Sequence, residues 1–193
     1  MEEARYSNIH LALVHFPVYN KPGDVVVSSV TTLDVHDISR VCRTFGVGTF
    51  YVVTPLETQQ KLVERLVGHW LKGHGAEYNP TRKEALQSTR VIKSLEDVVA
   101  EMTEQYGKNP RVVVTGAKQV PNSIGFSDLK KQLRDEDPML LVFGTGWGLE
   151  KNLILKADYV LEPIEGNSGF NHLPVRGAVA IILDRLLGRG RPW

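Results

Sequence analysis

Cysteine is nearly absent: Cys42 is the single one among 193 residues. No internal disulfide can form, and a cysteine-based metal site cannot assemble. Cys42 also falls between apolar positions of a helical pattern, where cysteine packs as a small hydrophobe and no nucleophilic role is expected. Long hydrophobic runs are missing too. The longest, Met139 to Phe143 and Ala178 to Leu183, fall far short of the roughly 20 apolar residues that cross a bilayer. The amino terminus, Met-Glu-Glu-Ala-Arg, lacks a basic segment followed by an apolar core, so no secretory signal is read and a cytoplasmic location is expected. Charge bias is absent as well: 23 Lys and Arg face 22 Asp and Glu. That balance argues against a wholesale polyanion binder, while cations can still gather on one face. The six histidines show no paired spacing, and no metal site is predicted.

What is present is an ordinary globular composition, 42% hydrophobic and 23% charged, in a chain long enough for one substantial core. A single domain over residues 1–193 is expected. Ile9 to His15 reads as a buried first strand ending near Pro17, followed by a long loop through Asn20-Lys21-Pro22-Gly23. From Asp34 to Phe45, the residues Val35, Ile38, Val41, Cys42 and Phe45 recur at helical spacing, with Thr31 as an amino-terminal cap and Gly46 as a carboxyl-terminal one. Gly48 to Val53 is a strand, and Thr58 to Lys72 a helix. The stretch from Gly73 to Thr81 reads as surface loop, with a short helical piece near Glu84. Further strands are expected at Thr89 to Ile92, Arg111 to Val114, Met139 to Phe143 and Ala157 to Leu161. Helices intervene at Leu95 to Tyr106, Ser127 to Arg134 and Gly148 to Leu155, and a last one spans His172 to Leu187. This alternation predicts an α/β fold, a mostly parallel sheet with helices on both faces.

Ligands of such sheets bind beyond the carboxyl ends of the strands. Three consecutive strand ends there are unusual: Thr115-Gly116-Ala117, Gly144-Thr145-Gly146-Trp147-Gly148, and Glu162-Pro163-Ile164-Glu165-Gly166-Asn167-Ser168-Gly169. Glycine lets the backbone approach a ligand closely. The Gly144-Thr145-Gly146 turn invites a nicotinamide-type dinucleotide reading, weakened because the third fingerprint glycine would fall at Leu149 and because the unit lies in the last third of the chain.

A second reading joins these loops to Gly169-Phe170-Asn171-His172-Leu173-Pro174-Val175-Arg176-Gly177-Ala178. That segment resembles the third motif of the SPOUT RNA methyltransferases, in which an Asn within a turn starts the last helix. Leu161-Glu162-Pro163-Ile164 is similar to that superfamily's Ile-Pro-Met strand end, and the Gly144 loop stands in the place of its second motif. Asp37-Ile38-Ser39-Arg40-Val41-Cys42-Arg43-Thr44-Phe45-Gly46 is similar to the first motif, an Asn-Ile-x-Arg segment ending in Phe-Gly. The sequence departs from the pattern at Pro174 and at Arg176, a cation where the wider superfamily has a small residue.

The resemblance implies a SPOUT α/β-knot with a carboxyl-terminal deep trefoil knot, S-adenosylmethionine as cofactor, an RNA substrate (tRNA or rRNA) and a homodimer. It implies Arg40 and Asn171 as catalytic residues, Asn171 by bracing its turn. Cofactor contacts fall to Thr115 and Gly116 in the first loop, to Phe143, Gly144, Thr145 and Gly146 in the second, and to Leu161, Pro163, Ile164, Phe170, Asn171, Leu173 and Gly177 in the third. His36, Arg43 and Arg176 become substrate-binding candidates, with Lys118 a further cation. His36 and Asp37 are candidate acid-base groups and His15 a weaker site candidate. The last helix carries Val175, Ala178, Val179, Ile182 and Leu186 as one stripe, enough for core and subunit interface together. A catalytically silent RNA-binding member of the same fold is the alternative.

Overall fold

The computed structural model describes residues 6–72, 74–133 and 137–189. In chain order the elements are β1 (Ile9–Val14), β2 (Val18–Tyr19), β3 (Val25–Val26), α1 (Thr32–Phe45), β4 (Phe50–Val53), α2 (Glu57–Lys72), α3 (His74–Tyr78), α4 (Pro80–Leu86), β5 (Thr89–Ile92), α5 (Leu95–Tyr106), β6 (Arg111–Val114), α6 (Phe126–Gln132), β7 (Met139–Gly144), α7 (Lys151–Leu155), β8 (Tyr159–Val160) and α8 (Val175–Leu187). Six strands form one parallel sheet in the order β5-β4-β1-β7-β6-β8. Counted along the chain, that order is 3-2-1-5-4-6. A dinucleotide-binding Rossmann sheet runs 3-2-1-4-5-6 with its glycine turn after the first strand. Here the Gly144 turn follows the fifth, so the dinucleotide reading is set aside.

Alternation along each strand divides the core. Leu11, Leu13, Phe50, Val52, Val113, Leu141 and Phe143 face α1, α2, α4, α6 and α8, whereas Ala12, Val14, Tyr51, Val53, Leu140 and Val142 face α5 and α7. Both faces are covered by helices, as an all-parallel sheet requires. The cap expectations for α1 hold: the Thr31 hydroxyl accepts from the Asp34 amide at 3.1 Å and donates to its carboxylate at 2.6 Å, and Gly46 closes the helix at φ 72°. Cys42 is buried within this helix, and burial pushes its thiol pKa up, which leaves it a packing residue.

Four expectations need correction. The long loop after β1 contains the antiparallel β2–β3 hairpin. The loop before Thr81 is helical from His74 to Tyr78, and Asn79 then caps α4 with Pro80 at its first position. α7 starts at Lys151, because Gly148 with φ 105° cannot continue a helix backwards. α8 starts at Val175, since Pro174 occupies the cap in an extended conformation and disfavours helix in the residue before it. No helix among the described residues is long and apolar enough to cross a membrane.

β8 is flanked on both sides by parts of one stretch of chain. On one side it pairs with β6, Val113 to Tyr159 and Val114 to Val160. On the other, Ile124, in the connection that leaves β6, donates to the Val160 carbonyl at 2.8 Å and accepts from the Glu162 amide at 3.0 Å. β8 arrives from α7 on one face of the sheet and leaves to α8 on the other.

His10 in β1 is buried and fully used: its Nδ1 accepts from the Thr49 amide at 3.1 Å, so Nε2 carries the proton and donates to the Tyr106 hydroxyl at 2.8 Å. Burial lowers the pKa of His10, and of the equally buried His15, to about 4. Unfolded imidazoles take up protons near pH 6.5, so stability is complete above that pH and is lost as pH falls toward about 4. Each histidine contributes roughly 3 kcal/mol to this loss. Urea unfolding at a series of pH values is expected to show a falling midpoint across that window; a flat midpoint would mean that these rings are protonated in the folded chain.

Candidate functional site

The loops leaving β6, β7 and β8 stand together at the carboxyl edge of the sheet. The Thr115 amide and hydroxyl both donate to the Val142 carbonyl, at 3.0 and 3.1 Å. The Asn171 amide donates to the Ala117 carbonyl at 2.9 Å, which ties the third loop to the first across 54 residues. Leu161 and Pro163 are buried beneath, and Ile164 packs on the core. Above them Phe170, Trp147 and Leu173 are 72%, 55% and 45% exposed. The His172 ring stands edge-on between Phe170 (5.4 Å) and Trp147 (6.1 Å). Gly116, Gly166 and Gly169 have open space where a Cβ would be. Open backbone beside exposed aromatic and aliphatic groups fits a flat heteroaromatic ligand enclosed by apolar walls.

Two expected ligand residues point elsewhere. The Phe143 side chain is buried in the core, so only its backbone faces the loops. Gly146, at φ 59°, has its α-carbon against β2, where a Cβ would lie 2.8 Å from the Tyr19 carbonyl. The β2–β3 hairpin in fact fixes the second loop. Tyr19 accepts from the Trp147 amide and donates to the Gly148 carbonyl, both at 2.9 Å, and Glu150 donates to the Pro17 carbonyl. Gly144 is equally constrained, its α-carbon packed against Leu149.

A buried polar chain supports the same loop. The Thr145 hydroxyl donates to the Val14 carbonyl at 3.1 Å and accepts from Ser28 at 2.5 Å; Ser28 in turn accepts from His15 Nδ1 at 3.0 Å. His15 Nε2 has no hydrogen-bond partner among the described residues, and the Asp34 carboxylate acts on the ring from α1. The sequence marks His15 only as a strand-end histidine; Ser28 lies in what reads as loop, and nothing in the pattern signals their pairing.

The second group of candidates lies along α1. Arg176, at the first turn of α8, reaches Asp34 at 3.3 Å and Asp37 at 3.5 Å. Those carboxylates explain a cation at a helix amino terminus, where the dipole disfavours it, and they engage the group expected to meet substrate. Asp37 is thereby an ion-pair partner. Arg43 is paired with Glu84. Arg40 is exposed, and its guanidinium makes no ion pair or hydrogen bond among the described residues. It forms the wall between two open grooves. One, of about 410 Å³, is lined by Asp37, Val41, Phe45, Arg176 and Gly177; the other, of about 290 Å³, by Arg43, Asn79, Thr81, Arg82 and Glu84. Gly177 therefore belongs to the α1–α8 groove and not to the loops. His36, one turn before Arg40, stands edge-on to Trp70 at 5.7 Å. Burial first, then Arg82 and Arg40, lower its pKa, so it is a neutral imidazole at physiological pH. Among the described residues no His, Cys, Asp and Glu side chains converge as a metal site.

A model of a family described as SAM-dependent RNA methyltransferase matches residues 8–188. An uncharacterized protein of Aquifex aeolicus is 40% identical over 185 residues, covering 95% of this chain and 90% of that protein. A tRNA (guanine-N(1)-)-methyltransferase of Oleidesulfovibrio alaskensis is 42% identical over 181 residues, 94% of this chain but only 42% of that protein's length. More than half of that relative thus lies outside the match, and its named activity is that of the whole protein. Among solved structures, the A. aeolicus TrmH/SpoU tRNA modifying enzyme superposes with a TM-score of 0.55 at 17% identity, over 95% of this chain and 79% of that one, which shows a shared fold.

The His15 chain makes a substitution test specific. His15→Leu strands the Ser28 hydroxyl and is expected to destabilise the protein by about 1–3 kcal/mol, whereas His15→Asn, whose amide nitrogen can take the place of Nδ1, retains most of that. Denaturant unfolding of both variants reads the difference. Equal losses would show that the ring contributes volume and not its hydrogen bond.

Proposed function

The chain belongs to the S-adenosylmethionine-dependent RNA methyltransferases, and from that membership we propose that its three loops hold the cofactor while Arg40 on α1 addresses the RNA. The observation that carries this division is the Asn171–Ala117 bond, which assembles a ligand edge from loops far apart in sequence. S-adenosylmethionine supplies an electrophilic methyl group on a sulfonium centre, with S-adenosylhomocysteine as the leaving group. Thr115, Gly116 and the backbone of Phe143 to Thr145 line the edge, Leu161, Pro163 and Ile164 form its floor, and Phe170, Leu173 and Trp147 exclude water. Asn171 keeps the first and third loops in register.

Arg40 is protonated at any physiological pH and therefore acts by orienting an anionic or polar acceptor, not as a base. Orientation of this kind contributes several kcal/mol to group transfer. His36, held neutral one turn away, is the group suited to take up the proton that the acceptor loses, and Arg43 and Arg176 flank the approach.

The carboxyl-terminal trefoil knot is the topology best suited to β8. That strand is flanked by β6 and by Ile124 of the same connection, and it passes from one face of the sheet to the other, as a segment threaded through a loop does. A second copy seated on the α1–α8 groove, where Val41 and Phe45 are only partly covered, would make the homodimer and bring another loop edge near Arg40. The name of the O. alaskensis relative favours tRNA over rRNA as substrate. One domain in the cytoplasm completes the reading.

Calorimetric titration with S-adenosylhomocysteine, paired with methyl incorporation into unfractionated tRNA, tests it. Asn171→Ala is expected to weaken cofactor binding about tenfold, the cost of about one lost hydrogen bond. Arg40→Ala is expected to leave that affinity within about twofold and to lower incorporation by about 100-fold. A wild-type protein that binds no S-adenosylhomocysteine would contradict the proposal.

A further inference from the structure

The two grooves that meet at Arg40 differ in charge. Toward α8, Arg176 is neutralised by Asp34 and Asp37, and much of the remaining wall is apolar, Val41 and Phe45. Toward α4, three guanidinium groups, Arg40, Arg43 and Arg82, share the lining with Thr44, Asn79 and Thr81, against the single carboxylate of Glu84. That carboxylate is taken up by Arg43. Arg82 lies over the Trp70 ring, 4.5 Å from its centre. Its guanidinium is therefore placed by stacking, and among the described residues no hydrogen bond or ion pair occupies its N–H groups. A net balance near zero for the whole chain conceals this local excess.

We propose that the α1–α4 groove is the surface that holds the RNA backbone, and that the substrate strand reaches the reaction centre by crossing α1 at Arg40. This rests on the reading above, and it assigns substrate docking to α4 and to the α3–α4 turn, which none of the three motif-like segments includes. A planar guanidinium presents paired donors that match two phosphate oxygens, and Arg82 and Arg40 offer such edges on the two walls of one cleft. The Asn79 side-chain N–H groups add a neutral donor of the kind that fixes a phosphodiester in register, while the Thr81 hydroxyl donates to Asn79 Oδ1 at 2.8 Å and holds that side chain in place. Tyr78, next in sequence to Asn79, is 80% exposed, a ring face on which an unstacked base can lie. The groove is open and not a closed pocket, which suits a chain that continues past Arg40 on both sides. A compact anion would leave Tyr78 and the open ends without a role.

The test is anisotropy of fluorescently labelled, unfractionated tRNA titrated with the full chain across salt concentrations from roughly 50 to 200 mM. Arg82→Ala is expected to weaken binding several-fold and to reduce the slope of log affinity against log salt by about 0.7 to 0.9, the loss of one phosphate contact. Glu84→Gln, which releases Arg43, is expected to tighten binding and steepen the slope; a gain cannot arise from misfolding. Lys156→Ala, on the opposite face of the sheet, controls for bulk charge and is expected to change neither. If Arg82→Ala and Glu84→Gln behave like Lys156→Ala, or if wild-type protein fails to bind the tRNA at the lowest salt, the groove proposal is overturned while cofactor binding stands. Absence of S-adenosylhomocysteine binding strikes the methyltransferase reading instead and leaves the salt slopes to be judged on their own.

Discussion

The two residues of β8 hold the arrangement together. Bonded to β6 on one side and to Ile124 on the other, they fix where the third loop begins and from which face the chain leaves. Because the exit is toward α1, α8 packs along that helix, and its first turn delivers Arg176 and Gly177 beside Arg40. The same exit lays residues 161–173 over the loop that left β6, within reach of the Asn171–Ala117 bond. The proposed cofactor edge and the proposed substrate helix are thus positioned by one short strand.

The electrostatics of α1 follow from that placement. A cation at the start of α8 is opposed by the helix dipole and is tolerated because Asp34 and Asp37 lie one turn apart on the facing helix. Asp34 serves three partners at once: the Thr31 hydroxyl, Arg176 and, through space, the His15 ring. Arg176 is consumed structurally, Arg43 is consumed by Glu84, and Arg40 is left available between them. A polyanion approaching α1 accordingly meets its excess positive charge on the α4 side.

Much of this is legible in the amino-acid sequence. The stripe Val35, Ile38 and Cys42 is buried as its spacing requires, Thr31 and Gly46 cap the helix they flank, and the apolar runs at Ile9, Arg111 and Met139 are strands of a parallel sheet. What escapes is what depends on partners distant in the chain. The β2 and β3 strands are two residues each, too short for a periodic signal, and the hairpin they form is secured by the loop that leaves β7. Arg176 reads as an unpaired cation until Asp34, 142 residues earlier, is seen beside it. Phe143 continues the apolar run it ends and turns into the core; Gly146 is glycine because Tyr19 leaves no room. The Asn79–Arg82 turn carries no motif at all, and only the stacking of Arg82 on Trp70 reveals its charge as placed.

The three loops of this chain are proposed to hold the methyl donor as one unit. Hydrogen–deuterium exchange of the backbone amides, with and without S-adenosylhomocysteine, measures this directly. Protection is expected together in residues 115–118, 144–149 and 161–173, with α2 and α5 unchanged. Protection confined to α2, α5 or any other region, with those three loops exchanging as in the free protein, would contradict it.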